Sequence, residues 1–281
     1  MLQSKSDAGT SITQVTWDLN HNEIDIPAGK GGVLRRVEVQ LCPVRTTIVN
    51  SGGLLRLRNS SADWDPFYFV SMIDTVVTEG GDIQGAPIVY EVSKELPGNS
   101  TVYSDYIPYS AETQHIKLTL VWELGAKLSP APVGANETGV GLIMGQNCET
   151  FSGYIHPLKA AAVAATTRAS PGNYQVPGGK GGRLVYLVDQ VWPTVATVVN
   201  SGGLRELFND SYQMDPCQKY TQYHTVTGAS GGGVGRPTIT PWDGPCPANS
   251  TFTSYYTPTN AQSQSLSTLM FWNCAVRKTV A

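Results

Sequence analysis

Residues 27–66 and 177–216 align without a gap at an offset of 150, and 20 of the 40 positions are identical. Average residue usage would give about two or three matches. The first copy reads PAGKGGVLRRVEVQLCPVRTTIVNSGGLLRLRNSSADWDP and the second PGGKGGRLVYLVDQVWPTVATVVNSGGLRELFNDSYQMDP. The register continues beyond them. Asn99-Ser100-Thr101 matches Asn249-Ser250-Thr251, and Tyr106, Pro108, Ala111, Gln114 and Trp122 match Tyr256, Pro258, Ala261, Gln264 and Trp272. A period this long exceeds the roughly 20–50 residues of solenoid repeats and has the size of a domain. The chain therefore consists of two halves descended from one duplicated unit.

Each copy presents a proline, a glycine-rich turn, two alternating runs, an Asn-Ser-Gly-Gly turn, a third run and Asp-Pro. Short alternating runs punctuated by turn residues predict antiparallel strands. The repeated turn glycines are Gly29, Gly31, Gly52 and Gly53, with Gly179, Gly181, Gly202 and Gly203 in the second copy; glycine serves where the backbone needs positive φ. Ser11–Leu19 alternates, and Val33–Leu41 places Val33, Arg35, Val37, Val39 and Leu41 on one face. The pattern predicts an all-β chain with eight or nine strands per unit and no amphipathic helix. The expected division is 1–124 for the first unit with an N-terminal arm over residues 1–10, 125–157 for a Gly/Pro-rich connection with room for a short strand or turn, and 158–281 for the second unit with a short basic tail. Leu158–Thr167 (LKAAAVAATT) suits a short helix by alanine propensity, or the first strand of the second unit.

Charged residues make up 15% of the chain, against roughly 25% in ordinary soluble proteins. Either a Ser/Thr/Asn/Gln-rich exterior or a surface largely taken up in subunit contacts, where charge is depleted, accounts for this. A net charge of -3 and a pI near 5.8 exclude a basic nucleic-acid-wrapping surface. No apolar run reaches the roughly 18–20 residues of a membrane span. The first twenty residues hold no signal-peptide core; with Met1 as the true start the chain is expected to stay in the cytoplasm of the producing cell, and a mature secreted form with a re-added Met is the alternative.

No catalytic constellation emerges. Gly29-Lys30-Gly31-Gly32 lacks the GxxxxGK[ST]-helix context of a phosphate loop, and its copy recurs at Gly179-Lys180-Gly181-Gly182; both predict hairpin turns with solvated lysines. His21, His115, His156 and His224 have no repeat partners and no ligand spacing, so no metal site is expected. Asp63, Asp65 and Asp215 fit turns rather than a calcium loop. Five Asn-x-Ser/Thr sequons stand at Asn59, Asn99, Asn136, Asn209 and Asn249; turn chemistry and glycosylation both explain them. Cys217 and Cys246 fall opposite Phe67 and Leu96, so the second copy alone acquired this pair, as a disulfide or as two buried thiols.

The openings of the two units, Glu23–Leu41 (EIDIPAGKGGVLRRVEVQL) and Tyr174–Val191 (YQVPGGKGGRLVYLVDQV), resemble the double jelly-roll major capsid proteins of tailless icosahedral viruses. There, too, a short strand, a Pro/Gly turn and a long alternating strand open each barrel. The compact loops resemble the small archaeal or bacterial versions of that adenovirus-type lineage. The resemblance implies two tandem eight-stranded jelly rolls and homotrimers that tile a pseudo-hexagonal shell with interfaces above about 2,000 Å². It also implies penton or minor capsid partners, an internal membrane beneath the shell in many members, residence in the virion, and no catalytic residue, cofactor or sequence-specific nucleic-acid contact. Six similar barrels around one axis make a tile with closed three-fold contacts. The rival class is an extracellular tandem β-sandwich, a carbohydrate-binding or adhesin module. Such a module should repeat an aromatic surface site, and Trp17, Trp64, Trp192 and Trp242 are not repeat-equivalent. A jelly-roll glycosidase or amidase would need paired acids in a cleft between the units.

Overall fold

The computed structural model describes residues 1–9, 16–43, 52–72, 87–108, 114–128, 149–155, 169–193, 202–211, 217–222, 238–258 and 264–274. The first half contains β1 (Leu2–Ala8), β2 (Asp18–Ile26), β3 (Gly32–Pro43), β4 (Gly52–Asn59), β5 (Tyr68–Met72), β6 (Ile88–Leu96), β7 (Ser100–Pro108) and β8 (Gln114–Leu124). The second contains β9 (Glu149–Ile155), β10 (Ala169–Gln175), β11 (Gly182–Pro193), β12 (Gly202–Asn209), β13 (Cys217–Gln222), β14 (Thr238–Cys246), β15 (Thr251–Pro258) and β16 (Gln264–Cys274). Each half forms two four-stranded antiparallel sheets, ordered β1-β8-β3-β6 and β2-β7-β4-β5 in the first, β9-β16-β11-β14 and β10-β15-β12-β13 in the second. First strand beside eighth and third beside sixth, facing second-seventh-fourth-fifth, is the jelly-roll order. The chain is two tandem jelly rolls.

The repeated residues recur because they do the same job twice. Lys30 N donates to Pro27 O at 3.0 Å and Lys180 N to Pro177 O at 3.1 Å. Gly29 and Gly179 occupy the third turn position at φ +72° and +74°, where a type II turn demands glycine. Trp122 Nε1 donates to Lys30 O at 2.8 Å and Trp272 Nε1 to Lys180 O at 2.7 Å, so each indole pins its turn to the barrel wall.

In the first barrel, Val37, Val39, Leu41, Leu118 and Leu120 share a buried cluster with Ile24, Ile26, Leu55, Leu57 and Val102. The second barrel replaces part of this apolar packing with charge. Asp189 and Arg205 stand at the register positions of Val39 and Leu55, and Thr268 at that of Leu118. Arg205 Nη2 and Thr268 Oγ1 each reach Asp189 at 2.8 Å, and both charged side chains are fully buried.

Three expectations change. The face expected for Val33–Leu41 is broken by a register shift between Leu34 and Arg36: Leu34 turns inward while Arg35 leaves the face and bonds Glu123 and Ser93. Residues 2–8, expected in the arm, form β1 on the edge of a sheet. Within the expected connection 125–157, residues 149–155 form β9, which pairs with β16, so the second unit begins no later than Glu149 rather than at 158. Leu158–Thr167 lies outside the described residues.

Gly53 and Gly203 are held by close approach. A Cβ at Gly53 would lie 2.4 Å from Ile107 O and 2.5 Å from the Tyr106 ring; at Gly203 it would lie 2.4 Å from Thr257 O and 2.8 Å from the Tyr256 ring. Gly53→Val is expected to cost about 1–3 kcal/mol by overpacking. Urea unfolding checks this, and an unchanged midpoint would remove the steric argument.

Candidate functional site: the contact between the barrels

The outer face of the sheet β9-β16-β11-β14 is more apolar than its counterpart in the first barrel. Tyr186, Val188, Leu269 and Phe271 occupy the register positions of Arg36, Glu38, Thr119 and Val121. Val188, Leu269 and Phe271 belong to the buried cluster of the first barrel, with Tyr186 packed against it. Phe271 stacks between Tyr186, centroids 4.4 Å apart at 18°, and Tyr90, 5.6 Å apart at 20°. Phe69 adds a tilted contact with Phe271 at 5.8 Å. The open edge of the first barrel, formed by β5 and β6, is thus closed by the outer sheet of the second.

β9 fastens this contact with polar groups. Thr150 Oγ1 accepts from Ser93 N at 3.0 Å and pairs with Asn273 Oδ1 at 3.0 Å. Ser152 Oγ accepts from Tyr68 N at 2.6 Å and donates to Tyr68 O at 2.7 Å, while Ser152 N donates to Pro66 O at 3.2 Å. Tyr154 meets Tyr68 edge-on at 4.8 Å. Lys94, whose side chain is fully buried, reaches Glu149 at 2.8 Å. Its ammonium also lies 3.3 Å from the Phe151 centroid, a geometry that stabilises a desolvated cation. Lys180 is not the solvated turn lysine expected from the sequence. It crosses to the first barrel, pairs with Asp63 at 2.8 Å and donates to Asp65 O. The hydrogen bond and charge of Lys180 outweigh partial burial and hold the Asp63 carboxyl below its usual range.

The remaining singled-out residues are dispersed. Asn59 Nδ2 donates to Ser100 Oγ at 3.0 Å and Asn209 Nδ2 to Ser250 Oγ at 2.8 Å. Their Oδ1 atoms accept from Ser61 N and Ser211 N. Asn99 and Asn249 are exposed in the left-handed region, at φ 56° and 61°, which asparagine tolerates. Asn136 and Asp215 lie outside the described residues. Cys246 is buried on β14 and Cys217 opens β13, opposite Leu207; the side chain of Cys217 lies outside the described residues, and with it the pairing. Gly31 and Gly181 pack against the backbone of Gly98 and Ala248, and Gly52 and Gly202 begin β4 and β12. His21 is structural: Nδ1 meets Asp18 at 2.7 Å and Nε2 accepts from Ile116 N at 3.0 Å. No group of three or more potential metal ligands occurs among the described residues.

Sequence reasoning missed one cluster. On the outer face of β4 and β7, Arg56 and Arg58 converge on Asp105, whose side chain is fully buried. Arg56 also lies 5.5 Å over Trp17. Burial pushes the Asp105 carboxyl up, but the hydrogen bonds of Arg58 and Arg56 outweigh it and hold the group below its usual range. The second barrel has Glu206, Phe208 and Tyr255 at these positions. The only sequence signal was the Arg-Leu-Arg alternation.

No family model and no curated protein matches the chain. Solved structures with a similar outline include three at low score. PNGF-II shares 7% identity, with 92% of this chain and 60% of that chain covered and a TM-score of 0.43. The cowpea mosaic virus top component, a naturally occurring empty particle, shares 8%, with 97% and 92% covered and 0.32. The tandem CBM22 domains of Paenibacillus barcinonensis Xyn10C share 9%, with 95% and 97% covered and 0.23. The chain thus spans three fifths of the length of PNGF-II.

Proposed function

We propose that the chain is a shell-building structural protein, the major capsid protein of an icosahedral virus, working as a pseudo-hexagonal homotrimer rather than as an enzyme. One observation carries the reading: the two barrels meet head to tail, the β5–β6 edge of one against the outer sheet of the next. A contact between unlike faces of like units can be repeated, and it yields a ring where the rotation closes. Three chains supply six barrels. The expected setting is the virion, with lattice neighbours, penton or minor capsid proteins and an underlying membrane as partners. A tandem carbohydrate-binding module would need no such repeatable contact.

Light scattering at micromolar concentration together with negative-stain electron microscopy tests this. The expected particle has three times the 30.2 kDa chain mass and a six-lobed outline. A monomer under every assembly condition would overturn the reading in favour of the binding module.

A further inference from the structure

The outer face of β4 and β7 carries charge that packing does not require. In the second barrel Phe208 and Tyr255 cover the equivalent face, meeting edge-on with centroids 5.3 Å apart. The first barrel has Arg58 and Asp105 at those positions, and Arg56 where the second has Glu206. Apolar groups often serve stability as well as a buried ion pair does, and the second copy shows that the fold accepts them here. The charge in the first copy has another use. We propose that this face binds an anionic saccharide, with a carboxylate or sulfate on Arg58 and a sugar ring against Trp17. The site adds a ligand to the shell-building reading and does not depend on it.

The arginines are held in place before any ligand arrives. Arg56 donates to Asp105 Oδ2 through Nε at 2.9 Å and Nη2 at 2.5 Å. Arg58 donates to the same carboxylate through Nε at 2.8 Å and Nη2 at 2.7 Å. Asn20 N donates to Asp105 Oδ1 at 3.2 Å, and Asn20 Oδ1 accepts from Arg58 Nη2 at 2.9 Å. Asn20 adopts φ 56° within the irregularity between Asp18 and Asn22. Two guanidiniums thus share one carboxylate, and one positive charge is left over. Arg58 commits Nε and Nη2; its Nη1 has no protein acceptor among the described residues, and the side chain is 39% exposed. A guanidinium fixed in this way loses little freedom when it binds an anion.

Aromatic rings flank the charge. Arg56 stands 5.5 Å over the Trp17 ring, and Trp17 is still 38% exposed. Arg58 stands 5.6 Å over Tyr103, which is half-buried on β7. An exposed indole beside a fixed cation matches the two sides of an acidic sugar. The apolar C–H face of the ring packs on the indole, and the anionic group meets the guanidinium in a charge-assisted hydrogen bond.

The surrounding charge narrows the ligand. Glu23 stands opposite Tyr103 on β2 and is exposed, so the positive charge is local. That suits a single anionic group on a sugar. Nucleic-acid backbones and anionic membranes are held by extended basic surfaces instead. The cluster occurs in one barrel only, whereas a tandem binding module would repeat its site.

Calorimetric titration of the full chain tests this, with trigalacturonate and a chondroitin sulfate disaccharide as probes and galactotriose and sodium sulfate as controls. At least one anionic saccharide is expected to bind at millimolar concentration or below, and neither control at the same concentration. Arg58→Gln is expected to weaken that binding about tenfold by removing a charged hydrogen bond. Trp17→Ala is expected to weaken it about fivefold by removing the ring contact. Both variants should keep the circular dichroism of the parent; if Arg58→Gln does not fold, Trp17→Ala at its exposed position decides. No binding of either anionic saccharide overturns the proposal, as does galactotriose binding as tightly. Sodium sulfate binding as tightly would leave a bare anion site and overturn the saccharide. Folded variants that bind like the parent would move the ligand elsewhere and overturn this site. A monomer that binds keeps this inference while the assembly reading fails, and a trimer that binds nothing does the reverse.

Discussion

Arg205→Leu is expected to destabilise the protein by about 3–5 kcal/mol, because it strands the Asp189 carboxylate in a dry core. The same protein contains the remedy. At the matching register positions the first barrel has Val39, Leu55 and Leu118 where the second has Asp189, Arg205 and Thr268. The triple variant Asp189→Val, Arg205→Leu, Thr268→Leu copies a packing that a homologous barrel already uses. Exchanging a buried ion pair for well-packed apolar groups is often neutral or stabilises by about 1–4 kcal/mol. Three changes should therefore do less harm than one. Urea unfolding at a single protein concentration decides the matter, since assembly adds its own stability. A single variant within about 1 kcal/mol of the parent, or a triple variant as weak as the single, would refute the argument.

Phe271→Ala should cost about 3–5 kcal/mol, the usual penalty for emptying a large buried aromatic site. Its location gives a second readout. Phe271 is packed between Tyr186 of its own barrel and Tyr90 of the other, so its loss loosens the coupling between two cores. Calorimetry of the parent should give one cooperative transition and the variant two, one for each barrel. The counterpart change Val121→Ala, on the outer sheet of the first barrel, should stay within about 0.5 kcal/mol in dilute monomer. One sharp transition in Phe271→Ala would mean that the remaining contacts suffice to couple the barrels.

Phe67–Leu96 and Cys217–Cys246 share few residues, so the repeat says little of β5 and β6; the framework of β3, β4, β7 and β8 and its copies was legible because turns and repeated residues coincide there at a constant offset. The first strand of each barrel was not, for opposite reasons. β1 (LQSKSDA) is exposed on most of its residues and β9 (ETFSGYI) is covered on nearly all; neither strand alternates, so neither carries a period-two signal. Lys180 and Lys30 share the same Gly-Lys-Gly-Gly turn, yet Lys180 reaches the other barrel of its own chain and Lys30 stays exposed. Repetition predicts equivalent backbones and says nothing of what each copy touches. The contact surface was hidden in the differences between the copies, at Tyr186, Val188, Leu269 and Phe271, rather than in their identities.

The order in which the chain leaves the ribosome gives the aromatic closure a temporal cost. All eight strands of the first barrel have been made by Leu124, but Phe271 lies in the last strand, β16. At about 5–20 residues per second, synthesis of the intervening segment takes roughly 7–30 s. Throughout that interval the nascent first barrel displays Phe69 and Tyr90 at an uncapped edge, where a chaperone or the wrong neighbour on the same polysome can bind them.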